Sequence, residues 1–175
     1  PDARRSDMPQ WGTLLFDFDR TQVHSFLLSN ALFWLKEYHF DGLRVDAVSC
    51  MLYHDFGKED GQWLPNQYGG RDNLGAVAFL QKLNEAVREL PTEKLIFAED
   101  STAYPQITHS KADGGLGFSF KWNMGWMNDM LSYMEMDSFF RKWNHNKLTF
   151  SLCYAFSEAF VLPLSHDAVS YTHLR

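Results

Sequence analysis

The sequence predicts an α/β fold, a parallel sheet covered by helices, and three observations carry that reading. Apolar runs of strand length, within "FDGLRVDAVSC", "KLIFAED", "GFSFKWN" and "EAFVLPLSHD", are separated by segments with helical periodicity. Strands alternating with helices imply parallel pairing. Three of the four runs end in acidic groups, Asp46, Glu99-Asp100 and Asp167, and functional groups gather at the carboxyl ends of strands in such sheets. The connection over 53–71 far exceeds the ~2–6 residues typical of a βα loop.

The elements follow in order. After "QWGTLLFDFDR", the residues Val23, Phe26, Leu27, Ala31, Trp34, Leu35 and Tyr38 recur at helical spacing. They predict a helix over 23–39, started by Thr21 or Asp19. Asp41-Gly42 ends it, and a strand over 43–48 follows. Arg44 and Asp46 share one face of that strand, with Leu43, Val45 and Ala47 on the other. Charges on a strand are costly unless paired or put to use. A polar, glycine-rich stretch leads to Asp72 or Asn73 as the cap of a second helix. Leu74, Val77, Leu80, Leu83, Val87 and Leu90 mark its apolar face, and Pro91 stops it. Strands over 94–100 and 117–123, a helix over 124–136 and a last strand over 158–167 complete the pattern.

Bulk properties bound the function. The 175 residues suffice for one domain, and no repeat or linker divides them. With 45% hydrophobic and 22% charged residues the composition is that of a soluble globular protein. A net charge of −6 offers no footprint for nucleic acid, and no apolar run is long enough to span a membrane. Cys50 and Cys153 lack metal-ligand spacing and sit in apolar runs, so two buried free thiols and a reducing, cytoplasmic compartment are expected.

The carboxylates suggest chemistry. Glycosidic bond cleavage commonly employs two carboxyl groups, one a nucleophile and the other an acid that later serves as base. Asp46 suits the nucleophile, because Arg44 on its own face favours the charged form. Glu99 follows "LIFA", an apolar setting that favours a protonated acid. Each feature also has a structural reading. Arg44 and Asp46 could be an ion pair tying a strand to its neighbour, Glu99 or Asp100 a cap, and His166-Asp167 a surface turn. Trp63, Tyr68, Trp122 and Trp126 could anchor core or loops. Aromatic rings near polar strand ends also suit the apolar faces of sugars, with Asn123 placed to bind hydroxyls.

Together these segments resemble the α-amylase-like glycoside hydrolases and transglycosidases, glycoside hydrolase family 13. "DGLRVDAV" is similar to the strand-four motif of that family, "IFAEDST" to the strand-five motif and "LPLSHD" to the strand-seven motif. Within the family, "WGTLLFDF", "QYGGRDNLGAVAFLQKLNE", "GGLGFSFKWNMGWMNDML" and "LTFSLCYAFSEAFVLPLSHD" resemble 1,4-α-glucan (glycogen) branching enzymes. The similarity runs from about Trp11 to Asp167. It implies a partial (β/α)₈ barrel over 1–167, with Asp46 as nucleophile, Glu99 as acid/base and Asp167 stabilising the transition state. Arg44 and His166 would be their partners, and Trp122, Asn123 and Trp126 candidate substrate contacts. The implied reaction cleaves an α-1,4 linkage and transfers the released segment to a 6-hydroxyl, making an α-1,6 branch. The implied partner is an α-glucan, with no metal or organic cofactor.

Two departures accompany the resemblance. Ala168 stands where such enzymes usually carry Glu, and the tail over 168–175 is expected to be foreign or truncated. The early strands, the last strand and the flanking β-rich domains are missing from the pattern, so an internal piece without activity of its own is expected. Two rivals share the motifs. One is a hydrolase of the amylase or trehalose-releasing type, and the other is a non-catalytic glucan-binding barrel.

Overall fold

The computed structural model describes residues 2–165. A short N-terminal helix, α1 (Ala3–Ser6), leads into a hairpin of β1 (Asp7–Met8) and β2 (Thr13–Leu14), which pair antiparallel. Neither the helix nor the hairpin has a periodic signature, because each is too short to show one.

Helix α2 covers Thr21–Lys36, ending three residues before the expected boundary. Its N-cap is Arg20, without a side-chain cap bond. Neither Asp19 nor Thr21, the first residue of the helix, therefore caps it. The carboxylate of Asp17 instead holds the Arg20 guanidinium at 3.1 Å and the Asp19 N–H at 3.2 Å. Ala31 and Leu35 are buried, and Leu27 and Leu28 pack beside them, whereas Phe26 and Tyr38 stay exposed. The predicted stripe is thus only half covered.

The first parallel strand, β3, spans Gly42–Val45 and is shorter than the expected 43–48. Gly42 is required where it stands, since a Cβ would collide with the Leu95 carbonyl of the next strand. Ala47 adopts left-handed geometry (φ 50°), and a helix that the sequence reading did not anticipate, α3 (Val48–Leu52), starts immediately after it. The long loop that follows is closed by a bridge between Tyr53 and Asp72. Within it, Asn66 accepts from the N–H groups of Tyr68 and Gly70 at 2.9 and 3.0 Å, fixing the turn. Trp63 is half-buried there and Tyr68 exposed.

Helix α4 (Leu74–Arg88) starts as expected, with the Asn73 side chain accepting from the Ala76 N–H at 3.2 Å. Leu80, Leu83 and Val87 are buried, as are Ala76 and Phe79, while Leu74 is exposed. Strand β4 (Leu95–Ala98) then enters, followed by a loop with a single 3₁₀ turn and by β5 (Phe120–Trp122). Helix α5 (Met124–Glu135) matches its expected range, and the short helices α6 (Ser138–Arg141) and α7 (Asn146–Thr149) precede β6 (Phe160–Val161). β6 is much shorter than the expected 158–167. Pro163 has no N–H to extend the ladder, and His166 and Asp167 lie outside the described residues.

The four strands form one parallel sheet in the order β3-β4-β5-β6. Register pairs Leu43 with Ile96 and Val45 with Ala98, and these four face the layer of α2, α3 and α4. Arg44, Phe97 and Phe120 are in register on the opposite face, where the rings of Phe97 and Phe120 stack with centroids 5.4 Å apart. One face therefore carries the core and the other carries Arg44. Both cysteines are free thiols, but neither is fully buried as expected: Cys50 is half-buried, and Cys153 is exposed in a 3₁₀ segment at the surface. Among the described residues no helix is long and apolar enough to cross a membrane.

Candidate active site

The site forms where β3 and β4 end. The ladder between them runs one step past β4, since the Glu99 N–H donates to the Val45 carbonyl at 3.0 Å. Alternation then puts the Glu99 side chain on the face of Arg44. Arg44 reaches both acids, 2.9 Å from Asp46 and 3.3 Å from Glu99 Oε2. The expected Arg44–Asp46 pairing is present, and Glu99 joins it.

The bend at Ala47 adds a further contact. Its left-handed conformation turns the chain out of β3 and aims its N–H at Glu99 Oε2, 2.9 Å away. The next N–H, of Val48, donates to the Glu99 carbonyl at 2.8 Å. A left-handed alanine costs roughly 1–2 kcal/mol, a cost offset locally by these two bonds to one residue. Nothing in the sequence marked Ala47, because alanine carries no left-handed preference that a reader could use.

The two acids occupy unlike environments. The Asp46 side chain is 70% exposed and that of Glu99 22%. Burial, reinforced by the neighbouring Asp46 carboxyl, pushes the Glu99 carboxyl above the ordinary glutamate value. The Ala47 N–H and the Arg44 guanidinium pull it back only in part. A carboxyl biased towards its protonated form beside an open, guanidinium-paired aspartate can supply a proton and a nucleophile to one reacting centre.

Of the aromatic candidates, Trp122 belongs to this cluster. The Arg44 guanidinium lies over its ring, 4.6 Å from the centroid. Asn123 is buried and serves as the N-cap of α5, accepting from the Trp126 N–H at 2.9 Å and the Tyr154 hydroxyl at 3.2 Å. Trp126 stands in the first turn of that helix. No hydrogen bond or ring contact among the described residues joins it to Asp46 or Glu99. Trp122 and Asn123 also line a cleft of about 550 Å³ together with His109, Tyr154 and Glu158.

Asp100, the other acid ending β4, faces away from the site. Its carboxylate is fully buried and accepts from Lys121 at 2.7 Å and from Ser49 at 2.6 Å. Its hydrogen bonds with Thr102 form the local cap that is one of the sequence readings of this residue. The buried Lys121 went unrecognised, since a lysine inside "FSFKWN" gives no sign of an acid waiting across the strand. Among the described residues no group of three or more His, Cys, Asp or Glu is arranged to hold a metal ion.

No family model matches the chain. Comparison with curated proteins finds close relatives over nearly its whole length. The chain is 57% identical over 169 residues to the 1,4-alpha-glucan branching enzyme GlgB of Corynebacterium efficiens, covering 97% of this chain and 23% of that protein. The enzyme of the same name from Thermobifida fusca is 58% identical over 170 residues, with the same two shares. That from Myxococcus xanthus is 54% identical over 168 residues, covering 96% of this chain and 23% of the relative. The chain thus spans under a quarter of the length of the relatives it matches.

Proposed function

By sequence this chain belongs to the 1,4-alpha-glucan branching enzyme family, and on that premise we propose that it carries two catalytic carboxyl groups of a retaining glucan transferase. Asp46 is the nucleophile and Glu99 the acid/base. The observation that carries this reading is the single Arg44 guanidinium shared by an open Asp46 and a half-buried Glu99.

The steps follow from that arrangement. Ala47 N–H and Arg44 both engage Oε2 of Glu99, which casts Oε2 as acceptor and leaves Oε1 to carry the proton. Glu99 gives that proton to the glycosidic oxygen of an α-1,4 linkage while Asp46 attacks the anomeric carbon. The bond to the leaving chain breaks and a glucosyl ester forms with inversion. Glu99, now a carboxylate, takes the proton of an incoming 6-hydroxyl. That oxygen attacks the anomeric carbon, the Asp46 ester bond breaks, and an α-1,6 linkage results with net retention. Trp122 supports the Arg44 guanidinium from below with its ring. By resemblance, Asp167 stabilises the transition state and His166 contacts the sugar.

A parallel sheet whose strands are neighbours in sequential order supports reading β3 to β6 as one arc of a (β/α)₈ barrel. One second reading shares the same motifs and paired carboxyls, transfer to water, as in a hydrolase. Two measurements on the full-length enzyme decide. A slow-turnover fluorinated α-maltooligosyl fluoride should label Asp46, and a label on another residue would overturn the assignment. Branching should shift the iodine stain of amylose with little new reducing sugar, whereas hydrolysis releases reducing ends in step.

A further inference from the structure

The connection from β4 to β5 lacks the long helix that covers the other crossovers. The space beneath the end of β5 is filled instead by a polar network. Lys121 and Asp100 form an ion pair at 2.7 Å, with side chains only 7% and 0% exposed. Lys121 also donates to the Thr102 carbonyl at 2.8 Å. Ser49 of α3 donates to Asp100 at 2.6 Å and accepts from the Ser101 N–H at 3.1 Å.

Such a pair is a weak source of stability, since well-packed apolar residues of similar volume often do as well. Its placement has a different consequence. Asp100 directly follows Glu99. Ser49 is two residues beyond Ala47, whose N–H holds Glu99 Oε2. Lys121 directly precedes Trp122, on which the Arg44 guanidinium rests. The network therefore pins, from the core side of the sheet, the three backbone segments that present Glu99, its N–H donor and the ring under its guanidinium partner.

We infer that Asp100, Lys121 and Ser49 are positioning residues that hold Glu99 in the orientation needed for proton transfer. The inference rests on the acid/base reading of Glu99. Misplacing a proton donor penalises substrates according to how much protonation their leaving group needs. General loosening of the fold has no such preference.

The test uses the full-length enzyme with two variants. Lys121→Met strands a buried carboxylate, while Ser49→Ala removes one link and leaves the ion pair intact. Each is assayed for kcat and KM on an α-1,4-glucan. Each is also assayed for first-turnover fluoride release from an α-maltooligosyl fluoride, whose leaving group needs little protonation. The expected result is a loss of glucan kcat of about 10-fold for Ser49→Ala and about 10²-fold for Lys121→Met, partial losses that do not exceed the ~10²–10⁴-fold typical of acid catalysis. KM and the fluoride burst should stay within about threefold of the parent. Equal losses on both substrates, or an unchanged glucan kcat, would overturn the inference. Ser49→Ala alone decides if Lys121→Met does not fold. Glu99→Gln, run in parallel, separates the two claims. If it shows the substrate split and Ser49→Ala does not, only the positioning role fails. If it shows no split, the acid/base reading fails and the inference with it.

Discussion

At the scale of single residues, Glu99 concentrates the physics of the molecule. It is held by Ala47 and Arg44, flanked by Asp46, and pushed above the ordinary glutamate value chiefly by burial. A carboxyl whose folded pKa is raised binds more protons in the native than in the unfolded state, so stability falls as pH rises between the two values. Glu99→Gln removes that slope. Thermal unfolding of parent and variant across pH 4 to 7 should show their midpoints diverging in favour of the variant as pH increases. Parallel curves would mean that Glu99 titrates alike in both states. This pairing of an apolar run with a terminal acid was legible in "LIFAED". The partner N–H from Ala47 was not, because it depends on one φ angle.

At the scale of elements, caps separate stability from recognition. Asn73 and Asn123 begin α4 and α5 by the same device, a side-chain oxygen accepting from an N–H three residues on. Asn73→Ala should cost about 1 kcal/mol, read as a lower denaturation midpoint in urea at an unchanged slope. Asn123→Asp keeps the oxygen that caps α5, so its stability should stay close to the parent's. If the amide nitrogen of Asn123 binds sugar hydroxyls, that variant should raise KM for glucan without lowering the midpoint. Unchanged KM would leave Asn123 as a cap alone. The helices were legible because ten or more residues of periodic pattern overwhelm local noise. Strand ends were less so, since β3 stops at Val45 and hands the chain to α3 within three residues.

At the scale of the whole molecule, the four-stranded sheet has two edges among the described residues, β3 and β6. Beside β3 runs an apolar groove of about 440 Å³ lined by Trp11, Phe16 and Trp34. Phe139, Phe140 and Trp143 are also exposed beyond α5. Open edges and apolar patches invite association. Residues 1–175 expressed alone should elute as aggregates or oligomers on size exclusion and leave the iodine stain of amylose unchanged. A monomer with a sharp unfolding transition and branching activity would contradict this. The sequence by itself determined the alternation of helix and strand, a cap at Asp72 or Asn73, the face shared by Arg44 and Asp46, and the resemblance that the relatives bear out. These follow from periodicity and from neighbours along the chain. Only the tertiary structure decided that Glu99 shares the guanidinium of Arg44, that Ala47 turns its N–H to Glu99, and that Lys121 is buried against Asp100. Each of those pairs residues 20 to 55 positions apart, or hangs on a backbone angle, and neither leaves a periodic trace in the order of amino acids.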